Sequence, residues 1–235
     1  MTEAIRFTLD GHELSATAGQ TILDAAAQSG HYIPNLCACD GLVPHGSCRV
    51  CTVMVNGRPQ AACTQPVAPG MVVESETPEL WDLRRALVEM LFVEGNHICP
   101  CCEQSGKCEL QAMAYRLGIL VPRFPFLFPL RPVDASHPDV YVDNNRCILC
   151  ARCIRASRDV DGKQVFDFAG RGIHERLVVD SATGLGGTRA EATDRAFAVC
   201  PVGALLKKRT GFTVPIGQRL YDHQPIGSEI EQPAK

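Results

Sequence analysis

Alternating apolar and polar residues in the first third of the chain predict a small sheet with one helix. The predicted strands are residues 4–9, 13–16, 52–55, 59–63 and 71–74. The dipeptides Asp10-Gly11 and Asn56-Gly57 separate two pairs of these strands, and both favour hairpin turns because they tolerate positive φ. Between the hairpins, Thr21 is a candidate N-cap for a helix that ends at Gly30.

A different apolar spacing begins at Pro78 and continues to Gly95. The apolar residues at helical spacing are Leu80, Leu83, Leu87, Met90 and Leu91. This spacing predicts a helix that leads into the middle of the chain.

Residues 122–138 have a composition that favours an extended linker over a helix. The segment combines five prolines, at positions 122, 125, 129, 132 and 138, with Phe124, Phe126 and Phe128. We expect the aromatic rings to pack within the chain, and a partner surface is the alternative.

Beyond the linker, the pattern predicts a strand over residues 176–180, a glycine loop over 184–187 and a helix over 189–199. Residues 211–235 are expected to form a loosely ordered tail.

Composition and charge place the chain among ordinary globular proteins. Apolar residues make up 46% of 235 residues, and the formal net charge is −3, so nothing indicates nucleic-acid binding. No apolar run approaches the roughly 18 residues of a membrane span, and the N-terminus lacks a signal peptide. The cysteine count, 13, is odd and too low for a disulfide scaffold. We therefore expect a cytoplasmic protein with no membrane span, whose thiols are reduced or metal-bound.

Most of the cysteines, with one histidine, form three sets of four candidate ligands. The sets are Cys37, Cys48, Cys51 and Cys63; His97, Cys99, Cys102 and Cys108; and Cys147, Cys150, Cys153 and Cys200. Thiolates are the preferred ligands of iron-sulfur clusters, and four protein ligands normally hold each cluster. Three sets in one chain therefore predict an electron relay.

The first set lies mainly on a loop beside the predicted N-terminal sheet, which is typical of a plant-type two-iron site. Its spacing, C-x10-C-x2-C, has a wider first gap than plant ferredoxins have. The order of sheet and helix resembles the β-grasp ferredoxin fold. Gly41 and Gly46 can supply positive φ where the loop encloses a cluster. Cys39 is left over, and we interpret it as a small buried apolar residue.

The second set contains three well-spaced thiolates, C-x2-C-x5-C, and lacks an obvious fourth ligand for a four-iron cluster. His97 is the nearest candidate, and Cys101 is the competitor. A neutral imidazole in place of a thiolate removes a negative charge and should raise the reduction potential. Zinc is the alternative occupant of this set.

The third set opens with C-x2-C-x2-C, the run that is typical of four-iron ferredoxins. In the bacterial pattern a further cysteine and a proline follow, but this chain has Ser157 there. Cys200-Pro201 supplies the missing pair from far along the chain. Four arginines surround this set, and they either offset its negative charge or lie on solvated helix faces. They are Arg146, Arg152, Arg155 and Arg158.

No nucleotide-binding motif accompanies these sets. The glycines of residues 184–187 lack the spacing of a dinucleotide-binding loop, and no phosphate loop is present. We therefore expect no catalytic residue in this chain, which would move single electrons between partners that carry out the two-electron chemistry.

Together the three motifs resemble the N-terminal part of the large iron-sulfur subunit of respiratory NADH dehydrogenase, over roughly residues 1–210. As a short version of that respiratory subunit, the chain is similar to the small diaphorase subunit of the soluble NAD-reducing nickel-iron hydrogenases. The resemblance implies one 2Fe-2S and two 4Fe-4S clusters, a flavoprotein partner that binds FMN and NAD, and a nickel-iron hydrogenase module. In the respiratory family, three residues separate the ligand histidine from the first cysteine of the second set. The corresponding position in this chain is Gly95.

The expected fold class is α+β. We predict a β-grasp 2Fe-2S ferredoxin-like domain (1–77), a helical His/Cys cluster segment (78–121), a proline-rich linker (122–138), a 4Fe-4S ferredoxin-like domain (139–210) and a tail (211–235).

The predicted function is electron transfer between a flavin-containing diaphorase and a hydrogenase module, which couples H2 oxidation to NAD reduction. The equivalent subunit of an NAD-linked formate dehydrogenase or NADH dehydrogenase is the alternative within this class. Zinc-stabilised interaction proteins and redox sensors are alternatives from other classes.

Overall fold

The computed structural model describes residues 4–231, in which helices and strands are mixed along the chain. The strands are β1 (Ile5–Leu9), β2 (His12–Ala16), β3 (Thr52–Val55), β4 (Arg58–Ala61), β5 (Val72–Glu74), β6 (Val133–Asp134), β7 (Val140–Asp143), β8 (Phe166–Ala169), β9 (Arg176–Val179) and β10 (Leu205–Lys207). The helices are α1 (Ile22–Gln28), α2 (Pro78–Val93), α3 (Glu109–Arg116), α4 (Arg152–Asp159), α5 (Arg195–Ala198) and α6 (Ser228–Glu231). Short 3₁₀ helices span Cys99–Cys101, Asn144–Arg146, Gly172–His174 and Leu185–Gly187.

The N-terminal sheet has the strand order β2-β1-β5-β3-β4, with β5 parallel to β1. Both predicted hairpins are confirmed, since β1 pairs antiparallel with β2 and β3 with β4. The turn residues Asp10, Gly11, Asn56 and Gly57 all have positive φ, between 48° and 82°. This left-handed geometry matches the twist of the paired strands, which is why these dipeptides select two-residue turns.

Helix α1 begins as the sequence predicts. The Thr21 side chain accepts a hydrogen bond from the Asp24 backbone N–H at 3.1 Å. Three residues of the helix, Ile22, Ala25 and Ala26, are buried in the core of the N-terminal sheet. The helix and the sheet thus share one apolar core.

A buried arginine on α2 fastens this helix to the N-terminal sheet. Arg84 has no exposed surface, and its guanidinium donates to the carbonyls of Val50, Thr52 and Ser75 at 2.8–3.3 Å. Burial lowers the pKa of Arg84 from its usual value. Because Val50 and Thr52 lie on either side of Cys51, and Ser75 directly follows β5, Arg84 fixes α2 against the first ligand set.

Replacing Arg84 with methionine is expected to lower the free energy of unfolding by about 2–4 kcal/mol, because three buried carbonyl oxygens lose their donor. Denaturant unfolding of the intact chain, followed by circular dichroism, measures this loss. Arg58→Met is the matched control, since Arg58 is exposed on β4. An equal loss in both variants would contradict the bridging role of Arg84.

The proline-rich segment is extended along α2, as the sequence predicts, and Val133–Asp134 joins β7 as a two-residue strand. Arg123 pairs with Glu89 and Asp82 of α2, each at 2.7 Å. The prediction that the aromatic rings pack within the chain is wrong: Phe124, Phe126 and Phe128 are 38%, 46% and 72% exposed. Phe126 and Phe128 stack on each other, at 5.6 Å between ring centroids. Backbone and ion-pair contacts therefore hold this segment in place.

Strands β10, β7 and β6 form a second sheet, and β8 and β9 form a third. The predicted strand at residues 176–180 is confirmed as β9, but the predicted helix over 189–199 is confined to α5, Arg195–Ala198. Asp161 explains the late start, because its carboxylate accepts hydrogen bonds from the N–H groups of Arg195 and Ala196. The glycine loop contains the 3₁₀ helix Leu185–Gly187.

The end of the described chain lies against the core, and the expectation of a loose tail is wrong for residues 221–231. Ile226 is buried, and its carbonyl accepts a hydrogen bond from Arg116 at 2.9 Å. Arg116 also pairs with Glu231 and lies over the Tyr32 ring, 4.6 Å from its centroid. The apolar residues near position 226 thus complete a core that the sequence pattern did not reveal.

Candidate metal centres

The first cysteine set converges beside the N-terminal sheet. Cys37 lies on the loop after α1, Cys48 and Cys51 precede β3, and Cys63 follows β4. The four thiols share hydrogen bonds. Those from Cys48 and Cys63 lower the pKa of Cys37, and the bond from Cys63 lowers the pKa of Cys51. The structure therefore brings the whole set together at one end of the sheet core.

Positive φ angles shape the loop that carries this set. Gly41 and Gly46 have φ of 78° and 73°, in agreement with the prediction that glycines turn the loop around the site. Arg49, between Cys48 and Cys51, also has positive φ, which its residue type does not predict. Cys39 is half-buried and donates its thiol to the Asp40 carbonyl at 3.8 Å.

The second set lines a cavity between α2, α3 and the segment after Cys200. His97, Cys99, Cys102 and Cys108 all border this cavity. Cys102 and Cys108 are buried, and Cys99 is half-buried. Cys101, the competing candidate, is exposed and does not border the cavity.

His97 has the properties of a neutral nitrogen ligand. Burial lowers its pKa to about 4, so the imidazole is uncharged at neutral pH. The ring hydrogen-bonds the Leu91 backbone, and Phe92 packs edge-on at 5.4 Å between ring centroids. The buried Nε2 atom has no hydrogen-bond partner among residues 4–231. A buried nitrogen without a partner is costly unless something binds it, and a second hydrogen bond commonly orients a histidine ligand.

Two glycines give the second set its space. A Cβ atom at Gly95 would lie 2.6 Å from His97 Nε2, so a side chain at position 95 and the His97 ring exclude each other. A Cβ at Gly203 would lie 2.6 Å from Cys102 Sγ, so only glycine fits there beside the thiol.

The third set also lines a cavity, which is bordered by Cys147, Cys150, Cys153 and Cys200. Burial raises the pKa of Cys147 to about 11 and that of Cys150 to about 12. Although Cys200 lies 47 positions beyond Cys153, the C-terminal end of α5 brings it to the same cavity. The fourth ligand predicted from the sequence is therefore placed beside the other three.

Backbone N–H groups point at the sulfur atoms of this third set. Backbone hydrogen bonding from Leu149 lowers the pKa of Cys147, and that from Arg152 lowers the pKa of Cys150, against the larger effect of burial. Leu149 and Ala151 have positive φ, 52° and 58°, although neither is glycine. Such backbone costs of order 1–3 kcal/mol per residue and persists where the surroundings enforce it. The strain aims amides at the thiols, where they favour thiolates.

The three sets meet at one apolar core. Cys37, Cys108 and Cys150, one from each set, belong to the same cluster of packed buried residues. Cys48, Cys147 and Cys200 pack against it. Ligands from all three sets thus pack into one core, an arrangement that suits electron transfer from one site to the next.

Two of the four arginines near the third set are buried. For these two, the alternative prediction that they lie on a solvated helix face is wrong. Arg152 forms a bidentate ion pair with Glu109, both contacts at 2.7 Å, and thereby joins the second and third sets. Arg155 is also buried. Arg158 is exposed and pairs with Asp159 at 2.6 Å, as a solvated helix face would have it. Sequence reasoning could not separate these cases, because the residues share one helix.

No helix in the described part of the chain is both long and apolar enough to cross a membrane. Within residues 4–231, no three His, Cys, Asp or Glu side chains converge closely enough to hold a single metal ion.

Three family models match consecutive parts of the chain. They describe a 2Fe-2S iron-sulfur cluster binding domain (residues 2–78), the iron-sulfur binding region of NADH-ubiquinone oxidoreductase G (84–123) and the ferredoxin-like domain of NADH-quinone oxidoreductase subunit 3 (137–206). All three are iron-sulfur families, and this favours iron over the zinc alternative.

One relative matches nearly the whole length. The chain is 44% identical over 224 residues to the gamma subunit of the NAD-reducing hydrogenase HoxS of Cupriavidus necator, which covers 95% of both chains. The chain belongs to the gamma-subunit family of NAD-reducing hydrogenases. The resemblance predicted from the three ligand sets is thus confirmed, and the chain is an iron-sulfur subunit of the oxidoreductase class.

Structural similarity supports the same family. A chain in the crystal structure of an NAD+-reducing [NiFe]-hydrogenase in the H2-reduced state superimposes with a TM-score of 0.92 at 52% identity, over 94% of both chains. The mitochondrial 78 kDa subunit of NADH-ubiquinone oxidoreductase from Candida albicans is 36% identical over 212 residues. That match covers 88% of this chain and only 29% of the relative. The gamma-subunit family thus corresponds in length to one part of the respiratory subunit.

Proposed function

We propose that the three ligand sets hold one 2Fe-2S and two 4Fe-4S clusters. Cys37, Cys48, Cys51 and Cys63 hold the two-iron cluster; His97, Cys99, Cys102 and Cys108 hold one four-iron cluster; and Cys147, Cys150, Cys153 and Cys200 hold the other. The support is the shared cavity of each four-iron set and the unpartnered His97 Nε2. When bound, such clusters accept and release single electrons.

The residues of this chain hold the sites, orient the ligands and exclude water. Backbone amides beside the third set favour thiolates, and burial keeps His97 neutral. The common apolar core around Cys37, Cys108 and Cys150 keeps the three sites adjacent. This adjacency is the observation that carries the proposal, because a relay needs neighbouring sites whereas a sensor needs only one.

We infer that the subunit passes electrons between a diaphorase partner with FMN and NAD and a nickel-iron hydrogenase module, so that H2 oxidation is coupled to NAD reduction. The support is the hydrogenase relative and the similar chain in the [NiFe]-hydrogenase structure. Both favour a hydrogenase over the formate dehydrogenase alternative. We place the complex in the cytoplasm, in keeping with cysteines that serve as ligands rather than in disulfides.

We also propose a fold for each of the three cluster-binding regions. We assign a β-grasp ferredoxin-like fold to the N-terminal region, supported by the five-stranded sheet and its packed helix α1. The middle segment, between α2 and α3, is the helical His/Cys region. The C-terminal region, with the two small sheets, is the 4Fe-4S ferredoxin-like domain.

Anaerobically purified protein is expected to contain about 10 iron atoms per chain and a nearly equal amount of acid-labile sulfide. Elemental analysis of iron and zinc, combined with a sulfide assay, measures this directly. About 6 iron atoms would mean that one four-iron set is empty. Zinc without sulfide would overturn the relay.

A further inference from the structure

Arg155 stands apart from the other arginines around the third ligand set because, among residues 4–231, no carboxylate lies within ion-pair distance of it. Arg146, Arg152 and Arg158 each form an ion pair with a carboxylate. Arg155 is only 5% exposed and forms no ion pair within 4 Å among residues 4–231. A buried charge without a counter-charge is costly, so its environment must compensate in another way.

All the hydrogen bonds of the Arg155 side chain go to main-chain carbonyl oxygens. The guanidinium donates to Cys37 and Val43 at 2.6 Å each, to Ala151 at 3.1 Å and to Cys150 at 3.4 Å. Cys37 belongs to the first ligand set and Cys150 to the third. One buried cation therefore joins the loop of the two-iron site to the turn of the C-terminal four-iron site.

We propose that Arg155 is a positioning residue that holds these two sites in fixed relation and whose unpaired charge raises the reduction potentials of both clusters. The proposal rests on the cluster assignment above. A loaded site of four thiolates carries negative charge, and each added electron increases it. A buried positive charge beside both sites therefore favours their reduced states, because net charge and burial around a cluster set its potential.

The second four-iron site provides an internal reference. The arginine that links it to the third set, Arg152, is neutralised by the bidentate contact with Glu109. The contacts of Arg155 do not include any residue of the second set. Loss of the Arg155 charge should therefore affect two of the three clusters and leave the cluster at His97 unchanged.

The test is a redox titration of the full chain, purified anaerobically with its iron and followed by electron paramagnetic resonance. In Arg155→Gln, the reduced-to-oxidised ratio at a fixed potential is expected to fall on the order of tenfold at the two-iron and C-terminal four-iron sites, a shift of about 59 mV for a one-electron couple. Arg158→Gln is the matched control, because it removes the same charge from an exposed, ion-paired position on the same helix. Unchanged potentials in Arg155→Gln, or equal shifts in both variants, would overturn the proposal.

Iron and sulfide counts cover the case in which the glutamine variant is unstable. Loss of iron confined to the first and third sets supports the shared positioning role. If all three sets lose iron, the Arg155→Lys variant is measured instead. Lysine keeps the positive charge but lacks the several N–H donors of the guanidinium. Wild-type potentials at both sites in the lysine variant support the charge effect, and a fall at either site contradicts it. If the wild-type chain itself lacks two-iron and four-iron signals, the cluster assignment fails, which is distinct from failure of the Arg155 role.

Discussion

Replacing Cys200 with serine is expected to remove the C-terminal four-iron cluster and to lower H2-dependent NAD reduction by the assembled complex at least about 100-fold. In the proposed assignment, Cys200 reaches its site from the far end of the domain, and burial raises the pKa of its thiol. Serine offers a hydroxyl, which is a harder ligand than the thiolate that iron-sulfur clusters prefer. The missing cluster would interrupt the relay, because the third set lies against the same core as the other two.

Iron analysis and the electron paramagnetic resonance spectrum of Cys200→Ser measure this loss. About 6 iron atoms per chain should remain, from the two-iron site and the His97 site. Cys39→Ser is the matched control, since Cys39 belongs to none of the three sets and only donates to the Asp40 carbonyl. Iron loss in Cys39→Ser equal to that in Cys200→Ser would contradict the ligand assignment of the third set.

Replacing His97 with alanine is expected to empty or break down the second four-iron site, because the imidazole nitrogen on its cavity wall is lost. The expected result is a fall of about 4 iron atoms per chain and the disappearance of one four-iron signal. This expectation rests on two observations: the buried Nε2 atom of His97 has no hydrogen-bond partner among the described residues, and the His97 ring borders the second cavity. Iron and sulfide assays on the anaerobic variant measure the change.

Cys101→Ala is the control for the second site, because Cys101 is exposed and does not border the cavity. Iron loss in Cys101→Ala with full iron in His97→Ala would transfer the ligand role to Cys101. The His97→Cys variant refines the test. It should keep the four-iron signal and lower its potential, since a thiolate adds negative charge where a neutral imidazole stood. An unchanged potential would remove His97 from the ligand set.

The exposed aromatic segment is one place where sequence reasoning failed. Five prolines correctly predict extended backbone, because proline fixes φ and removes a donor. The same pattern cannot show whether Phe126 and Phe128 find a groove in the chain. In the structure they contact each other and remain largely exposed. Burial depends on the shape of the surface beneath, which local composition does not encode.

What the sequence alone determined is the local chemistry and the short-range structure. Positive-φ dipeptides select the hairpins, a hydroxyl at Thr21 caps α1, and thiols at fixed spacing predict cluster sites. These features depend on residues within a few positions of one another. They could therefore be predicted, together with the family resemblance that the comparisons confirm.

Only the tertiary structure decided how distant residues meet. It buries Arg155 between two ligand sets, pairs Arg152 with Glu109 and brings residue 226 into the core, over separations of 43 to 118 positions. It also places His97, rather than Cys101, on the wall of the second cavity. The physical reason is that charge burial and side-chain orientation depend on the packing of the whole chain, and the sequence around each residue does not specify that packing.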